Sequence, residues 1–111
     1  MTPTHDYRCY FEGQLRPLGE ARVGVMTHAF NYGTGCFEGI RAYWNDEQEQ
    51  LYVLKLPEHL ERLLRSCRIL TIDPGMSVDE LVQGTLALRR ANGFPPEACG
   101  RPPPHQHARP P

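Results

Sequence analysis

The sequence predicts an α+β domain: a small antiparallel sheet of two hairpins with two amphipathic helices on one face, followed by a disordered proline-rich tail. Three observations carry this reading. Short apolar runs come in two pairs, each pair joined by a polar or glycine-bearing turn. Apolar residues then recur at helical spacing from Leu60 to Leu70 and again from Val78 to Leu86. Residues 95–111 hold seven of the eleven prolines and have no apolar period, so they cannot bury enough surface to offset the cost of ordering them. A chain of 111 residues supports one modest core, placed at 1–94, with the tail at 95–111.

Arg8 to Leu18 read as strand, turn, strand. Cys9-Tyr10-Phe11 and Gln14-Leu15 flank Glu12-Gly13, where glycine supplies the positive φ of a tight turn. Pro17 has no N–H to give to a ladder, so it ends or edges the second strand. Glu20 to Val25 form an irregular lead, and His28 to Tyr32 one helical turn stopped by Gly33. In the strand Cys36 to Trp44, period two puts Phe37, Gly39, Arg41 and Tyr43 on one face and Cys36, Glu38, Ile40, Ala42 and Trp44 on the other. The turn-rich Asn45-Asp46-Glu47-Gln48 joins it to Gln50–Leu56. Leu51-Tyr52-Val53-Leu54 is apolar without a break, which predicts cover on both faces.

A helix supplies one cover. It opens at Pro57, tolerated in a first turn, with Glu58 near the positive end of the dipole. Leu60, Leu63, Leu64, Cys67 and Leu70 form its core stripe, opposite Glu58, Glu61, Arg62, Arg65 and Arg68. After the Asp73-Pro74-Gly75 loop, Ser77-Val78-Asp79-Glu80 reads as a capping box. The second helix buries Val78, Leu81, Val82, Thr85 and Leu86 and stops at Asn92-Gly93.

Composition excludes several function classes. Hydrophobic residues at 40% and charged ones at 23% describe a globular chain, and a net charge of −1 offers no field to nucleic acid or acidic membrane. No apolar stretch is long enough to span a bilayer and the first residues carry no leader pattern, so the expected location is the cytoplasm. Cys9, Cys36, Cys67 and Cys99 lack a C-x-x-C pair and read as reduced thiols, Cys36 and Cys67 as buried ones. His105 and His107, among prolines with no nearby thiol or carboxylate, read as an incidental pair, so no metal site is expected.

The face of Phe37, Gly39 and Arg41 combines an aromatic wall, a bare backbone and a cation. That set can receive a small anionic ligand with an apolar body. It is also the pattern of an ordinary amphipathic strand, with Gly39 at a bulge and Arg41 in water or paired with a carboxylate. Met26-Thr27-His28-Ala29, Tyr32-Gly33 and Phe37-Glu38-Gly39-Ile40-Arg41, in this order and spacing, resemble the N-terminal signature of the branched-chain aminotransferases, fold-type IV enzymes that use pyridoxal phosphate. Tyr10-Phe11-Glu12-Gly13 resembles the opening hairpin of that family, and His59-Leu60-Glu61-Arg62-Leu63 its first conserved helix. The likeness covers about residues 7 to 94 and only the front third of such an enzyme.

The resemblance implies pyridoxal 5'-phosphate as cofactor, an amino acid and a 2-oxo acid as substrates, and a homo-oligomer in the full-length family. It implies that Arg62 binds the cofactor phosphate, a role that suits a guanidinium fork. The other reading of Arg62 is a surface partner of Glu58, four residues earlier. Phe37 and Gly39 would line the pocket for the branched side chain; Tyr32 would be lent to a neighbouring subunit's site, or be a core tyrosine at a turn. Arg101 matches a substrate-carboxylate arginine by register, with Cys99 where that family carries an aromatic residue.

Transamination needs a lysine to hold the cofactor and carry the proton. The sole lysine is Lys55, which reads as solvated at a strand end, and the resemblance puts the Schiff-base lysine in a second domain. The expectation is therefore no catalytic residue in these 111 residues, a chain inactive alone, and a reading frame lost shortly after Phe94. Two alternatives are a fragment of a sister enzyme, a D-amino-acid aminotransferase or aminodeoxychorismate lyase, and a non-catalytic module that binds a partner subunit.

Overall fold

A computed structural model describes Tyr7 to Gly93; Cys99, Arg101, His105, His107 and the proline-rich segment lie outside the described residues. Strands β1 (Arg8–Phe11) and β2 (Gln14–Pro17) pair antiparallel with Phe11 opposite Gln14. Both turn residues take positive φ, Glu12 at 52° and Gly13 at 78°. That is the hairpin turn whose twist matches the strands it joins. Pro17 ends β2 as expected, and a 3-10 turn at Leu18–Glu20 follows.

Helix α1 (His28–Tyr32) is the single turn expected, closed by Gly33 at φ 68° with its N–H on the Ala29 carbonyl. The Asn31 amide adds a tie, donating to the carbonyls of Val25 at 2.8 Å and Thr27 at 3.1 Å and so fastening the irregular lead to this turn.

Strands β3 (Ala42–Asn45) and β4 (Gln50–Val53) form the second hairpin, with Trp44 opposite Leu51. The strand expected from Cys36 thus ladders only over its last residues. The cause is β4, which is four residues long: past Val53 the chain turns through Lys55, at φ 52°, into a helix. The last bond of the pair is Leu54 N–H to the Arg41 carbonyl at 3.4 Å, and no described strand pairs with residues 36–41. The two hairpins also remain separate two-stranded sheets rather than merging into one. Leu51 is buried, whereas Tyr52 and Leu54 are exposed, so β4 is covered on one face and not on both.

Helix α2 (Leu56–Ile69) starts one residue before Pro57. Leu56, expected at the end of a strand, is instead the first core residue of α2 and joins Leu51, Leu60 and Cys67 as the buried core. Leu63 and Leu64 are half-buried, and Leu70 lies past the last turn, exposed. Helix α3 (Val78–Asn92) opens on the Ser77 hydroxyl, which accepts the Glu80 N–H at 3.2 Å; the Glu80 carboxylate turns back onto that hydroxyl at 3.3 Å. Gly93, at φ 56°, closes the helix with its N–H on the Arg89 carbonyl.

Helix α3 packs on α2 and on β1. Asn92 makes the second contact directional: its Oδ1 accepts the Arg8 N–H at 2.7 Å and its Nδ2 donates to the Arg8 carbonyl at 3.1 Å. One amide thereby does for β1 what a third strand would do.

With so few buried side chains, each matters. Leu60, 3% exposed, should cost about 2–4 kcal/mol of stability on Leu60→Ala. Ile69→Ala, at an exposed site, should stay within about 0.5 kcal/mol, both read by urea unfolding.

Candidate functional site

Residues 36–41 keep the alternation of a strand without its ladder: Cys36, Glu38 and Ile40 are half-buried, Phe37, Gly39 and Arg41 exposed. The inward row faces α2, which presents His59 and Arg62 one turn apart. Arg62 donates from Nε to Glu38 Oε1 and from Nη2 to Glu38 Oε2, both at 2.7 Å. His59 Nδ1 lies 2.8 Å from Oε2. A carboxylate only accepts, so Nδ1 carries the proton. It follows that the 3.4 Å approach of Arg62 Nη2 to the same nitrogen is donor against donor and no hydrogen bond.

The two ends of this pair differ in exposure. Glu38 is 8% exposed along its side chain and Arg62 60%. Three donors converge on the sheltered anion, and they outweigh its burial: the Arg62 hydrogen bonds first, then that of His59, hold the Glu38 carboxyl down at about 2, from an ordinary 4.5. Glu38 in turn raises the Arg62 guanidinium. The bonds formed use Nε and Nη2, and Nη1 has no partner among the described residues. Glu58, the partner that helical spacing suggests, is not the one found.

The outward row is open. Phe37 is 89% exposed, and a Cβ built on Gly39 would meet nothing within 4 Å, so no neighbour among the described residues requires that glycine. Arg41 is exposed and makes no side-chain hydrogen bond or ion pair among the described residues. Tyr32 is 76% exposed, its ring tilted on His28 at 4.7 Å between centroids, which rules out the core-tyrosine alternative. No hydrogen bond, ion pair or ring contact joins Tyr32, Phe37, Arg41 and Arg62 to one another. Arg101 lies outside the described residues. Lys55 sits exposed at the N-cap of α2.

Sequence reasoning missed Glu38, His59 and Asn92 as structural polar groups. The signal for Glu38 was present: it is the one charged residue on a strand face otherwise made of Cys36, Ile40, Ala42 and Trp44. A carboxylate on a buried face requires a cation opposite, and α2 carries four arginine or histidine candidates, His59, Arg62, Arg65 and Arg68.

No family model matches the chain. Individual proteins do. The "Probable branched-chain-amino-acid aminotransferase" of Aquifex aeolicus is 46% identical over 93 residues, 84% of this chain and 30% of that protein. The branched-chain-amino-acid aminotransferase of Escherichia coli K12 is 37% identical over 93 residues, 84% of this chain and 29% of its own length. Among solved structures, the branched-chain aminotransferase of Thermoproteus uzoniensis with norvaline superposes at TM-score 0.71 with 48% identity, over 75% of this chain and 27% of that one. A branched-chain amino acid aminotransferase complexed with N-(5'-phosphopyridoxyl)-L-glutamate gives 0.74 with 31% identity, over 80% and 29%.

Fold and matches together set the described residues among the fold-type IV aminotransferases, over the front part of such a chain. Within that class the chain belongs with the branched-chain aminotransferases, as a counterpart of their N-terminal part. It spans about 30% of the length of the curated relatives it matches.

The depressed carboxyl makes stability depend on acid in a defined window. Glu38 contributes its full stabilisation above about pH 4.5 and loses it as pH falls toward about 2, because the folded state then must take up a proton it resists. The melting temperature should drop across that window. Glu38→Gln should melt lower at neutral pH and show a flatter acid limb; parallel curves for the two proteins would mean that the pair contributes nothing to folding.

Proposed function

We propose that this chain supplies the first-domain half of an active site that exchanges an amino group between leucine, isoleucine or valine and 2-oxoglutarate, using pyridoxal 5'-phosphate. The observation that carries this reading is the Arg62 fork, fixed from behind by the sheltered Glu38 with Nη1 left unpartnered, inside the word His59-Leu60-Glu61-Arg62-Leu63. When bound, the cofactor supplies an aldehyde to take the amino group and a conjugated ring to spread the charge left on the substrate carbon. Its phosphate needs directional donors, and a guanidinium whose orientation is already set by two hydrogen bonds meets that need in kind.

The other roles follow the exposed row. Phe37 offers apolar surface to the branched side chain and Gly39 leaves room beside the backbone; Tyr32 reaches toward a neighbouring subunit's site, and Arg41 and Arg101 offer charge to a substrate carboxylate. This chain brings no amine to the site. Its single lysine, Lys55, stands exposed at the start of α2 in left-handed backbone, which supports the reading that a second domain supplies the nucleophilic lysine. Val23, Val25, Met26, Phe30 and Phe37 are all exposed, an apolar strip that suits cover by that domain or by a second subunit. The same strip favours a second reading, a non-catalytic module that seats on a partner subunit. The domain boundary falls at residue 94. The setting is the cytoplasm, and no helix among the described residues is long and apolar enough to cross a membrane.

Two measurements on the purified 111-residue chain test this. Supplied with pyridoxal phosphate, leucine and 2-oxoglutarate, it should form no glutamate; turnover would overturn the half-site. Pyridoxal phosphate should bind more tightly than pyridoxal, and Arg62→Ala should weaken it about tenfold, the loss of one charge-assisted contact. Equal binding by the variant would remove Arg62 from the phosphate.

A further inference from the structure

Cys36 and Cys67 lie with their sulfurs 3.6 Å apart, 31 residues distant in sequence. Cys67 is buried on the rigid body of α2, while Cys36 is half-exposed on the stretch 36–41 that has no ladder partner. We propose that these two thiols are a modification site, which hydrogen peroxide closes to an intramolecular disulfide. The closure brackets the ion pair: Cys36 is two residues before Glu38, and Cys67 five after Arg62.

Geometry assigns the order of events. The sulfurs must close to about 2.05 Å, and the side that moves is Cys36, since its backbone is held by neither helix nor ladder. Cys36 is also the sulfur that a peroxide can reach. Its thiolate attacks one peroxide oxygen, the O–O bond breaks, hydroxide leaves and takes a proton to become water, and Cys36 becomes a sulfenic acid. The Cys67 sulfur then attacks the Cys36 sulfur, expelling the sulfenic oxygen, which leaves as a second water with the Cys67 proton. Two thiols give up two electrons and two protons, and one peroxide is reduced to two waters. Burial raises Cys67, which keeps it a protonated, resolving thiol until Cys36 has been oxidised.

The test uses the full 111-residue chain. Hydrogen peroxide should lower the mass by about 2 Da per chain, the two hydrogens lost on closure. Trypsin should then release Val23–Arg41 joined to Ser66–Arg68, a link that dithiothreitol breaks. The melting temperature should rise by about 20 °C on oxidation and fall back on reduction, as expected for a loop of this length. Cys36→Ser should lose the mass change and the shift together. The double variant Cys9→Ser with Cys99→Ser should keep both, so the result does not hang on whether Cys36→Ser folds. Oxygen added at Cys36 with no cross-link, or disulfides through Cys9 or Cys99, would overturn the proposal. None of these readouts depends on what Arg62 binds.

Discussion

The Glu38 carboxylate is the point on which the arrangement turns. An anion this sheltered is costly to desolvate, and it is tolerable only because three N–H donors from one face of α2 reach it. The consequence is mechanical. Residues 36–41 have no described strand beside them, so the backbone alone would not hold them; the carboxylate in their middle does, by hooking them onto a helix that is itself anchored in the core through Leu56 and Leu60. Removing Arg62 would leave the sheltered carboxylate with His59 as its one remaining side-chain donor, so the pair bears on both the position of this stretch and the stability of the domain.

That same anchoring fixes which way the outward row faces. With Glu38 turned in, period two turns Phe37 and Gly39 out, and Arg41 follows at the next outward position. The core behind them is small: Leu51, Leu56, Leu60 and Cys67 are its only buried apolar residues among those described, while large apolar side chains from Val23 to Phe37 stand in solvent. A domain that ended its burial there would be poorly stabilised for its size. Relatives of which this chain spans about 30% contain the further chain that such a surface suits.

Much of this is legible in the residues. The first hairpin, the stop at Gly33, the capping box at Ser77 and the glycine close of α3 are each written by a local rule, and local rules need no partner to operate. What escapes is everything that depends on a neighbour. The strand from Cys36 reads at its full length because alternation reports which way side chains face, not whether another backbone lies alongside. Leu56 reads as strand because an apolar residue before Pro57 fits both states. Asn92 reads in sequence as a helix stop, which it is, but nothing local tells that its amide will pair with Arg8, 84 residues away. Within its own helix Arg62 has Glu58 as the near carboxylate; the partner found is 24 residues distant, on the inward face of the stretch that turns Phe37, Gly39 and Arg41 outward.

The position of Glu38 also bears on what Arg62 can recognise. Because its charge is offset by a carboxylate at 2.7 Å, the guanidinium projects little net field, and ions in bulk water are attracted to it weakly. What it retains is direction: the Nε and Nη2 edge is spent on Glu38, and donor capacity is left on the side that carries Nη1. A free anion can satisfy itself on any exposed arginine. A phosphate already fixed to a ring, whose own contacts set its orientation, gains more from a donor that cannot swing away than from one that merely carries charge, since the entropy of ordering that side chain has been spent in folding. Glu38 therefore exchanges long-range attraction for selectivity, and the proposed half-site is better suited to a tethered phosphate than to the free ion.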